Sequence, residues 1–481
     1  MSNKSTPPNR RRRQLLQAGA AGAAVSLLPG CSPHKAAATV PQSPVAYAAG
    51  GPMPWINWAG NQTCTPRQRL APSSEAEVVD ALKRSTGVVR AVGAGHSFSA
   101  VVPTNDTLIS MDLLEGVVQH DASLHQADIW AGTRLSALGP MLEGLGQALP
   151  NQPDLNYLSL GGAVANAAHA TGREFGNIPS YCVGLTLATP SGELLACSAT
   201  QNPEVFQAAR TSVGALGLIT RLRMQNQAAF KLVETNRVEK TEEVLEDIEQ
   251  RLARHRHFEM MPLLHSPLAV TIATDLAGPA DLNVGEDDPQ AVNTLRSVYE
   301  AVGWLPGLGE LAYEKLLQAA VGGAASSVRV GASYEIFPHV RVVRFREMEY
   351  TVPADAGPAC LREILRTVRE RNLPVCFPLE FRYCKGDDIW LSMFEGLGEK
   401  GGCAISVHQF GDIDYRPYFA EIEPIFWKYA GRPHWGKIHT LDAPRLAALY
   451  PRHWRDFHEV RRALDPQGRM MNAHLRTIFG A

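Results

Sequence analysis

Apolar and polar positions along the chain alternate between two periods, and the places where the period changes mark the elements. Residues 88–92 form an apolar run that stops at Gly93 and Gly95, which predicts a buried strand opening into a tight turn. Upstream, Ser74 and Glu77 make a capping box ahead of an amphipathic helix that Gly87 closes, and order begins near Trp55. Downstream, residues 107–113 and 117–131 read as short strands, 134–145 as a helix ended by Gly146, and 155–168 as a segment of small residues. Residues 181–198 read as a hairpin around Pro190-Ser191-Gly192, and 214–220 as a turn into a strand.

The composition shifts around Phe230. A charged helix is predicted at 239–254, an acidic loop at 279–290, and strands at 334–336, 340–345, 347–352, 378–383, 389–393 and 404–410, with a helix at 359–371 among them. This is an α+β pattern, with the division between halves at 224–232 and a mixed sheet backed by helices in the second.

With 481 residues, 45% hydrophobic and 20% charged, the chain can bury a large core in two or three domains. A net charge of -2 without basic-aromatic clusters speaks against nucleic acid as a partner and for small molecules. Residues 1–31 carry Arg10–Arg13 followed by an apolar stretch at 15–28, the layout of an export signal rather than of a membrane span. Arg12-Arg13-Gln14-Leu15-Leu16-Gln17 resembles the twin-arginine (Tat) motif, with a disordered basic tail as the other reading. Leu28-Pro29-Gly30-Cys31 resembles a lipoprotein processing box that would make Cys31 a lipid anchor, and residues 32–54 read as a linker. The protein is therefore expected outside the cytoplasm, periplasmic or membrane-anchored. The other seven cysteines form no C-x-x-C pair and read as buried small hydrophobes.

Candidate chemistry falls in four places. Gly93-Ala94-Gly95-His96-Ser97-Phe98 can bring bare backbone N–H groups against a phosphate, although by pattern alone a tight turn capped by His96 fits equally. The dinucleotide fingerprint fails there, because Phe98 stands where a third glycine belongs and no helix follows. Glu380 and Arg382 are two apart and leave one face of a strand, either to hold hydroxyls together or as a cross-strand pair. Ser406 and His408 likewise share a face, His408 being a base or a core histidine. Arg432-Pro433-His434-Trp435-Gly436-Lys437 presents a lysine on a rigid turn, where it could offset developing negative charge or simply face solvent. No metal site is indicated, since His255 and His257 are interleaved with arginines and lack a carboxylate at ligand spacing.

Taken together, six segments resemble the alditol oxidase and D-arabinono-1,4-lactone (aldonolactone) oxidase group within the vanillyl-alcohol oxidase (PCMH-type FAD-binding) flavoprotein family. They are Asn57-Trp58-Ala59-Gly60-Asn61, residues 92–98, residues 212–220, Phe345-Arg346-Glu347-Met348-Glu349-Tyr350, residues 432–437 and Asp465-Pro466-Gln467-Gly468-Arg469-Met470-Met471-Asn472. The resemblance covers residues 55 to 480 and implies a two-part FAD-binding domain at 55–228, followed by a substrate (cap) domain at 229–481.

By that resemblance His96 matches the histidine joined covalently to the flavin. Gly93, Ala94, Gly95, Ser97 and Phe98 would line its phosphates, with Ser159, Gly161, Gly162, His169, Gly217 and Ile219 along the rest of the FAD. Leu155 stands where bicovalent relatives have a cysteine, which implies a single attachment. Glu380, Arg382, His408 and Lys437 match the catalytic cluster, with His408, or else Lys437, expected to take the substrate's hydroxyl proton. Asp154 stands where alditol oxidases resemble one another in a substrate-contacting serine, Ala170 replaces a glycine usual after His169, and Pro153 resembles the oxidases at a position tied to oxygen access. The implied activity is oxidation of a sugar-derived lactone or polyol hydroxyl with oxygen as acceptor. The alternatives are a dehydrogenase of the same fold and an exported binding protein that has lost catalysis.

Overall fold

The computed structural model describes residues 54–278, 290–302 and 326–480, with isolated positions 281, 312 and 315. The predicted export signal, Cys31, the linker up to residue 53 and most of the acidic loop lie outside the described residues. None of the described helices is long and apolar enough to cross a membrane.

The N-terminal half holds two main sheets, besides two-stranded pairs that join Trp55–Ile56 to Thr63–Cys64 and Gln147–Ala148 to Gln227–Ala228. Strands β1 (Gln68–Leu70), β2 (Val89–Val92) and β3 (Thr107–Ser110) are parallel in the order β1-β3-β2, with helix α1 (Glu75–Arg84) between the first two in sequence. Ser74 caps α1 by accepting from the Glu77 amide, but the Glu77 carboxylate reaches back to Ser73 rather than to the cap itself. Strands β4 (Val117–Asp121), β5 (Gln126–Trp130), β6 (Cys182–Ala188), β7 (Leu194–Ser198) and β8 (Leu218–Gln225) form an antiparallel sheet in the order β7-β6-β8-β5-β4. Helices α2 (Leu135–Glu143) and α3 (Leu160–Ala165) follow β5. The small-residue segment thus yields only a six-residue helix, whose glycines let it lie close against the backbone at Ala131.

The second half is one eight-stranded sheet. It comprises β9 (Lys231–Lys240), β10 (His257–Pro262), β11 (Leu268–Leu276), β12 (Ser326–Ala332), β13 (Phe345–Pro353), β14 (Glu380–Cys384), β15 (Gly402–Phe410) and β16 (Arg432–Pro433). The order is β12-β9-β11-β10-β14-β15-β13-β16, and where a mixed sheet was expected every pairing between these strands is antiparallel. Helices α4 (Gly357–Glu370) and α5 (Arg416–Lys428) cover one face, where Tyr350 stacks on Phe426 at 4.8 Å. The other face is charged. Register sets Glu259 opposite Arg382, Glu380 opposite Ser406, and Glu347 and Glu349 opposite His408 and Ser406. Period-two alternation thus gives four neighbouring strands one apolar and one ionic face.

Four expectations fail for local reasons. Residues 334–336 lie in a helical turn (Ser333–Ile336), where the Glu335 carboxylate accepts from the Ala332 amide. Residues 389–393 are an apolar turn rather than a strand, because Asp387 accepts from the Ile389 amide and from Ser392 and folds the chain back. Residues 340–344 are irregular, with β13 beginning only at Phe345. The predicted charged helix starts as the end of β9, then forms two short helices, Thr241–Glu246 and Ile248–Arg254, that meet at Asp247. The seven described cysteines are buried and free.

The chain's end returns to its beginning. Arg469 donates to the carbonyls of Leu82, Ser85 and Pro190, and Asn472 to those of Ala100 and Pro103. Asp465 accepts from the Arg469 and Met470 amides and so shapes the turn that aims both side chains.

Candidate active site

A cavity of about 1500 Å³, its open mouth included, runs from the turn after β2 to the ionic face of the large sheet. Its wall includes Gly93, Ala94, Gly95, His96, Ser97, Phe98, Pro153, Asp154, Ser159, Gly161, Gly162, His169, Gly217, Ile219, Arg382 and Lys437. Glu380 and His408 are not on that wall; they lie one layer behind it.

The glycine turn is held from three sides. Trp58 donates its amide to Gly95, and Asn57 and Asn61 donate their side chains to the Ser97 and Phe98 carbonyls at 2.9 Å. The Phe98 and Ser99 amides donate to Gly436, and the Ser99 hydroxyl to Trp435, which fastens the Arg432–Lys437 turn onto this loop. Buried Arg90 spends its guanidinium on the carbonyls of Val101, Val213, Gly214 and Met470. Gly95 adopts φ +68°, the left-handed region that glycine enters without cost. With the Gly95, Ser97 and Phe98 carbonyls engaged, the backbone N–H groups of residues 93–97 line the cavity and have no acceptor among the described residues. A row of unpaired amides on a cavity wall is a place for an anion.

His96 closes that row. Its ring stacks on Trp58 at 5.3 Å and on Tyr157 at 6.4 Å, and its Nδ1 is buried with no hydrogen-bond partner. Burial, with the Arg134 and Lys437 charges adding to it, pushes the imidazolium down to about 3, so the ring is neutral. An uncommitted neutral nitrogen beside a row of free amides fits a ring system carrying a diphosphate. Deeper in, His169 Nδ1 donates to the Ala170 carbonyl and its Nε2 meets Glu349 at 2.7 Å. His434 is kept neutral, down to about 4 by burial, and accepts the Gly436 amide at Nδ1.

The far end is an interlocked set of ions. Lys437 pairs with Glu347 and lies 5.1 Å from the Phe98 ring centroid. Burial pushes the Lys437 ammonium down, but Glu347 and Glu349 outweigh it and raise it overall. Burial likewise raises the Glu347 carboxyl, yet Lys437 and His408 bring it to about 2. Arg382 donates Nε to Glu259 at 2.6 Å and Nη2 to Glu380 at 2.8 Å and Asp154 at 3.2 Å. Asp154 also holds Arg341, whose Nη2 reaches Glu380 at 3.3 Å. Burial raises the Asp154 carboxyl, and the two guanidinium groups more than reverse that. Glu380 stays raised, by burial and by the nearby Asp154 charge.

Asp154, expected to present a carboxylate to the substrate, stands on the cavity wall tied between Arg341 and Arg382. His408, expected to take the substrate's proton, is 2% exposed, donates Nδ1 to the Pro378 carbonyl, and has its Nε2 3.7 Å from Glu347 and 4.0 Å from Glu380, behind the cavity wall. Sequence reasoning passed over Arg341, Glu347, Glu349 and His434 as site residues. The alternation used for Glu380 and Arg382 would have found the two glutamates, whereas Arg341 sits in irregular chain with no pattern to reveal it.

Two triads, His169 with Glu349 and His434, and Glu347 with Glu380 and His408, have ligand atoms close enough for a cation. Each is already ordered without one: Glu349 accepts from Ser406 and meets His169, and Glu347 pairs with Lys437. His255 and His257 are spent separately, on Asp275 and on the Thr171 carbonyl.

Comparisons with known proteins agree with this layout. The D-arabinono-1,4-lactone oxidase family matches residues 222–478, and an FAD binding domain matches residues 66–198. An L-gulono-1,4-lactone dehydrogenase of Mycobacterium tuberculosis is 32% identical, over 89% of this chain and 99% of its own. An L-gulonolactone oxidase of Bos taurus is 30% identical, over 88% and 97%. Among solved structures, a cholesterol oxidase from B. sterolicum superposes with a TM-score of 0.72 at 14% identity, over 91% of this chain and all of that one, a likeness of fold.

Proposed function

Since the chain belongs to the D-arabinono-1,4-lactone oxidase family of FAD-linked oxidoreductases, we propose that it oxidises a hydroxyl of a sugar-derived lactone or polyol and passes the electrons to oxygen, giving hydrogen peroxide. FAD, when bound, supplies the two-electron acceptor at its N5 position. The observation that carries the reading is one cavity joining His96, with its uncommitted Nδ1 and row of free amides, to the Arg382 and Lys437 cations.

In this reading residues 55–228 hold the cofactor and residues 229–481 supply the substrate wall. The amides of residues 93–97 and the Ser159 hydroxyl bind the diphosphate, and His96 Nδ1 carries the single covalent link. Arg382 and Lys437 donate to substrate hydroxyls and offset negative charge as the flavin is reduced. His408, Glu380 and Glu347 keep those cations in place. Pro153, on the cavity wall, favours oxygen as acceptor; the dehydrogenase among the relatives favours a different acceptor instead. Export through the twin-arginine route and lipidation at Cys31 rest on residues 1–31 alone.

The test is anaerobic mixing of the flavin-loaded protein with a panel of aldonolactones and alditols. Bleaching of the flavin by a member of that panel, followed by recovery of colour and peroxide on admitting air, is expected. Bleaching that air does not reverse assigns the dehydrogenase reading, and no bleaching by any of them overturns both. In acid-denatured protein, yellow fluorescence should stay with the chain and vanish in His96→Ala.

A further inference from the structure

We propose that Arg341 sets substrate specificity: its Nε and Nη1 donate to hydroxyl or carbonyl oxygens of a neutral substrate, away from the carbon that is oxidised. The inference rests on the functional reading above. Arg341 is on the cavity wall. It comes from residues 337–344, the irregular chain between the turn Ser333–Ile336 and β13. That chain is fixed at two points. Arg329 pairs with Glu234 at 3.1 Å and donates Nη2 to the Ile336 carbonyl at 2.5 Å, and the His339 amide donates to the Asp154 carbonyl at 2.9 Å. Asp154 then holds Arg341 by its side chain too, so the guanidinium is in place before any substrate arrives.

One of its three nitrogens is used. Nη2 meets Asp154 at 2.5 Å and Glu380 at 3.3 Å, while Nε and Nη1 have no acceptor among the described residues, and neither is sealed from solvent. The side chain is 22% exposed, so a ligand in the cavity it lines can reach that open edge. Other guanidinium groups of the wall are more committed: Arg90 has all three nitrogens on backbone carbonyls, and Arg382 has two of three on carboxylates. A planar guanidinium held at one corner presents its free N–H groups in a fixed fork, which suits neighbouring oxygens on a sugar.

Charge decides which oxygens. Arg341 and Arg382 between them face Asp154, Glu259 and Glu380. Two guanidinium groups against three carboxyl groups leave no positive charge over for a substrate carboxylate, and neutral oxygens are what the open edge can take. Position decides the kinetic effect. Lys437 lies against Phe98 of the glycine turn, whereas no contact of Arg341 involves that turn. The loss of Arg341 therefore falls on affinity rather than on the reductive step.

The test uses the flavin-loaded full chain, reduced anaerobically by L-gulono-1,4-lactone, D-arabinono-1,4-lactone or xylitol, and reads a limiting rate and an apparent dissociation constant by stopped-flow absorbance. For each probe that reduces the parent, Arg341→Met should raise the dissociation constant about tenfold or more. The limiting rate should change by less than about threefold. Arg341→Lys keeps the charge beside Asp154 and Glu380 but lacks the fork, so it should fold as the parent does and still show most of the loss in affinity. L-gulonate, the opened acid, should compete with the lactone at least about tenfold more weakly than the lactone itself binds. Parent-like affinity in Arg341→Met overturns the proposal, and so does parent-like affinity in Arg341→Lys, which would leave charge balance as the residue's whole role. A slowed limiting rate at unchanged affinity overturns it as well, and L-gulonate binding tighter than the lactone overturns the neutral substrate. Failure of all three probes to reduce the parent would instead sink the functional reading, and this inference with it.

Discussion

The two ends of the cavity bury polar groups in opposite ways. At the glycine turn, where the Arg90 guanidinium is spent on backbone carbonyls, the wall offers neutral groups: bare amides, a hydroxyl, and the imidazoles of His96 and His434, which burial pushes to about 3 and about 4. On the large sheet the wall is fully ionised, with Asp154, Glu347 and Glu349 held below the usual carboxylate range, and Arg382 and Lys437 above their ordinary values. A neutral wall leaves donors free for an anion that arrives with its own charge. An ionised wall holds preset charges whose positions do not shift when a reaction develops new charge, which is how electrostatic stabilisation works without reorganisation. The first end is thus suited to binding, the second to chemistry.

The largest test of that division is Arg382→Met. It leaves Asp154, Glu259 and Glu380 facing one another with Arg341 alone to offset them. Flavin reduction by substrate, measured by stopped-flow absorbance, should slow by roughly 10³-fold. Stability should drop by about 3–5 kcal/mol in a denaturant titration, because buried charges lose their partner. Flavin content should persist, since no contact of Arg382 involves the glycine turn. Loss of the flavin as well would show the two ends to be one coupled unit.

Gly93→Ala is the reciprocal change at the neutral end. A Cβ there would lie 2.0 Å from Ser159 Oγ and 3.0 Å from Ser159 Cβ, so the serine must turn its hydroxyl away. Flavin content of the purified protein should fall about tenfold, while the fraction that retains flavin is reduced by substrate at the parent rate. A slowed reduction rate with full flavin content would reverse the assignment of the two ends.

How much of this could be read from the chain follows the same division. The neutral end is local: a strand, two glycines and a histidine within ten residues, all bearing directly on one turn. Glu380 with Arg382, and Ser406 with His408, were legible because a strand's period of two needs no knowledge of neighbours. What lies across from them depends on register, so the opposition of Glu347 to His408 and of Glu259 to Arg382 exists only in the folded sheet. Arg341 and Asp154 sit in irregular segments where no period applies, and their pairing joins positions 187 residues apart. The burial of His408 behind Glu347 has the same origin, since sharing a face says nothing of which residue on that face is covered.

The smallest effect comes from groups that serve neither end. His439 has both ring nitrogens buried and unbonded, 6.2 Å from His474, which also has an unpaired nitrogen. Burial is the main force lowering them, to about 3 for His439 and about 4 for His474. A depressed histidine pKa means that the fold favours the neutral ring. Stability is therefore complete above the unfolded value near 6.5 and is lost as pH falls toward the folded value. The ionised end answers acid in a lower window, since Glu347 loses its contribution only as pH falls from about 4.5 toward 2. Thermal melting followed against pH should accordingly show a decline beginning below about 6.5 and a further one below about 4.5. Replacing His439 by Leu removes two unpaired buried nitrogens at similar volume, and should raise stability by about 1 kcal/mol at neutral pH. It should also lessen the first decline and leave the second untouched. A variant that instead melts lower at neutral pH would mean that the His439 nitrogens hold a bound water or ligand, which would extend the neutral, donor-bearing region from the glycine turn to the C-terminal helices.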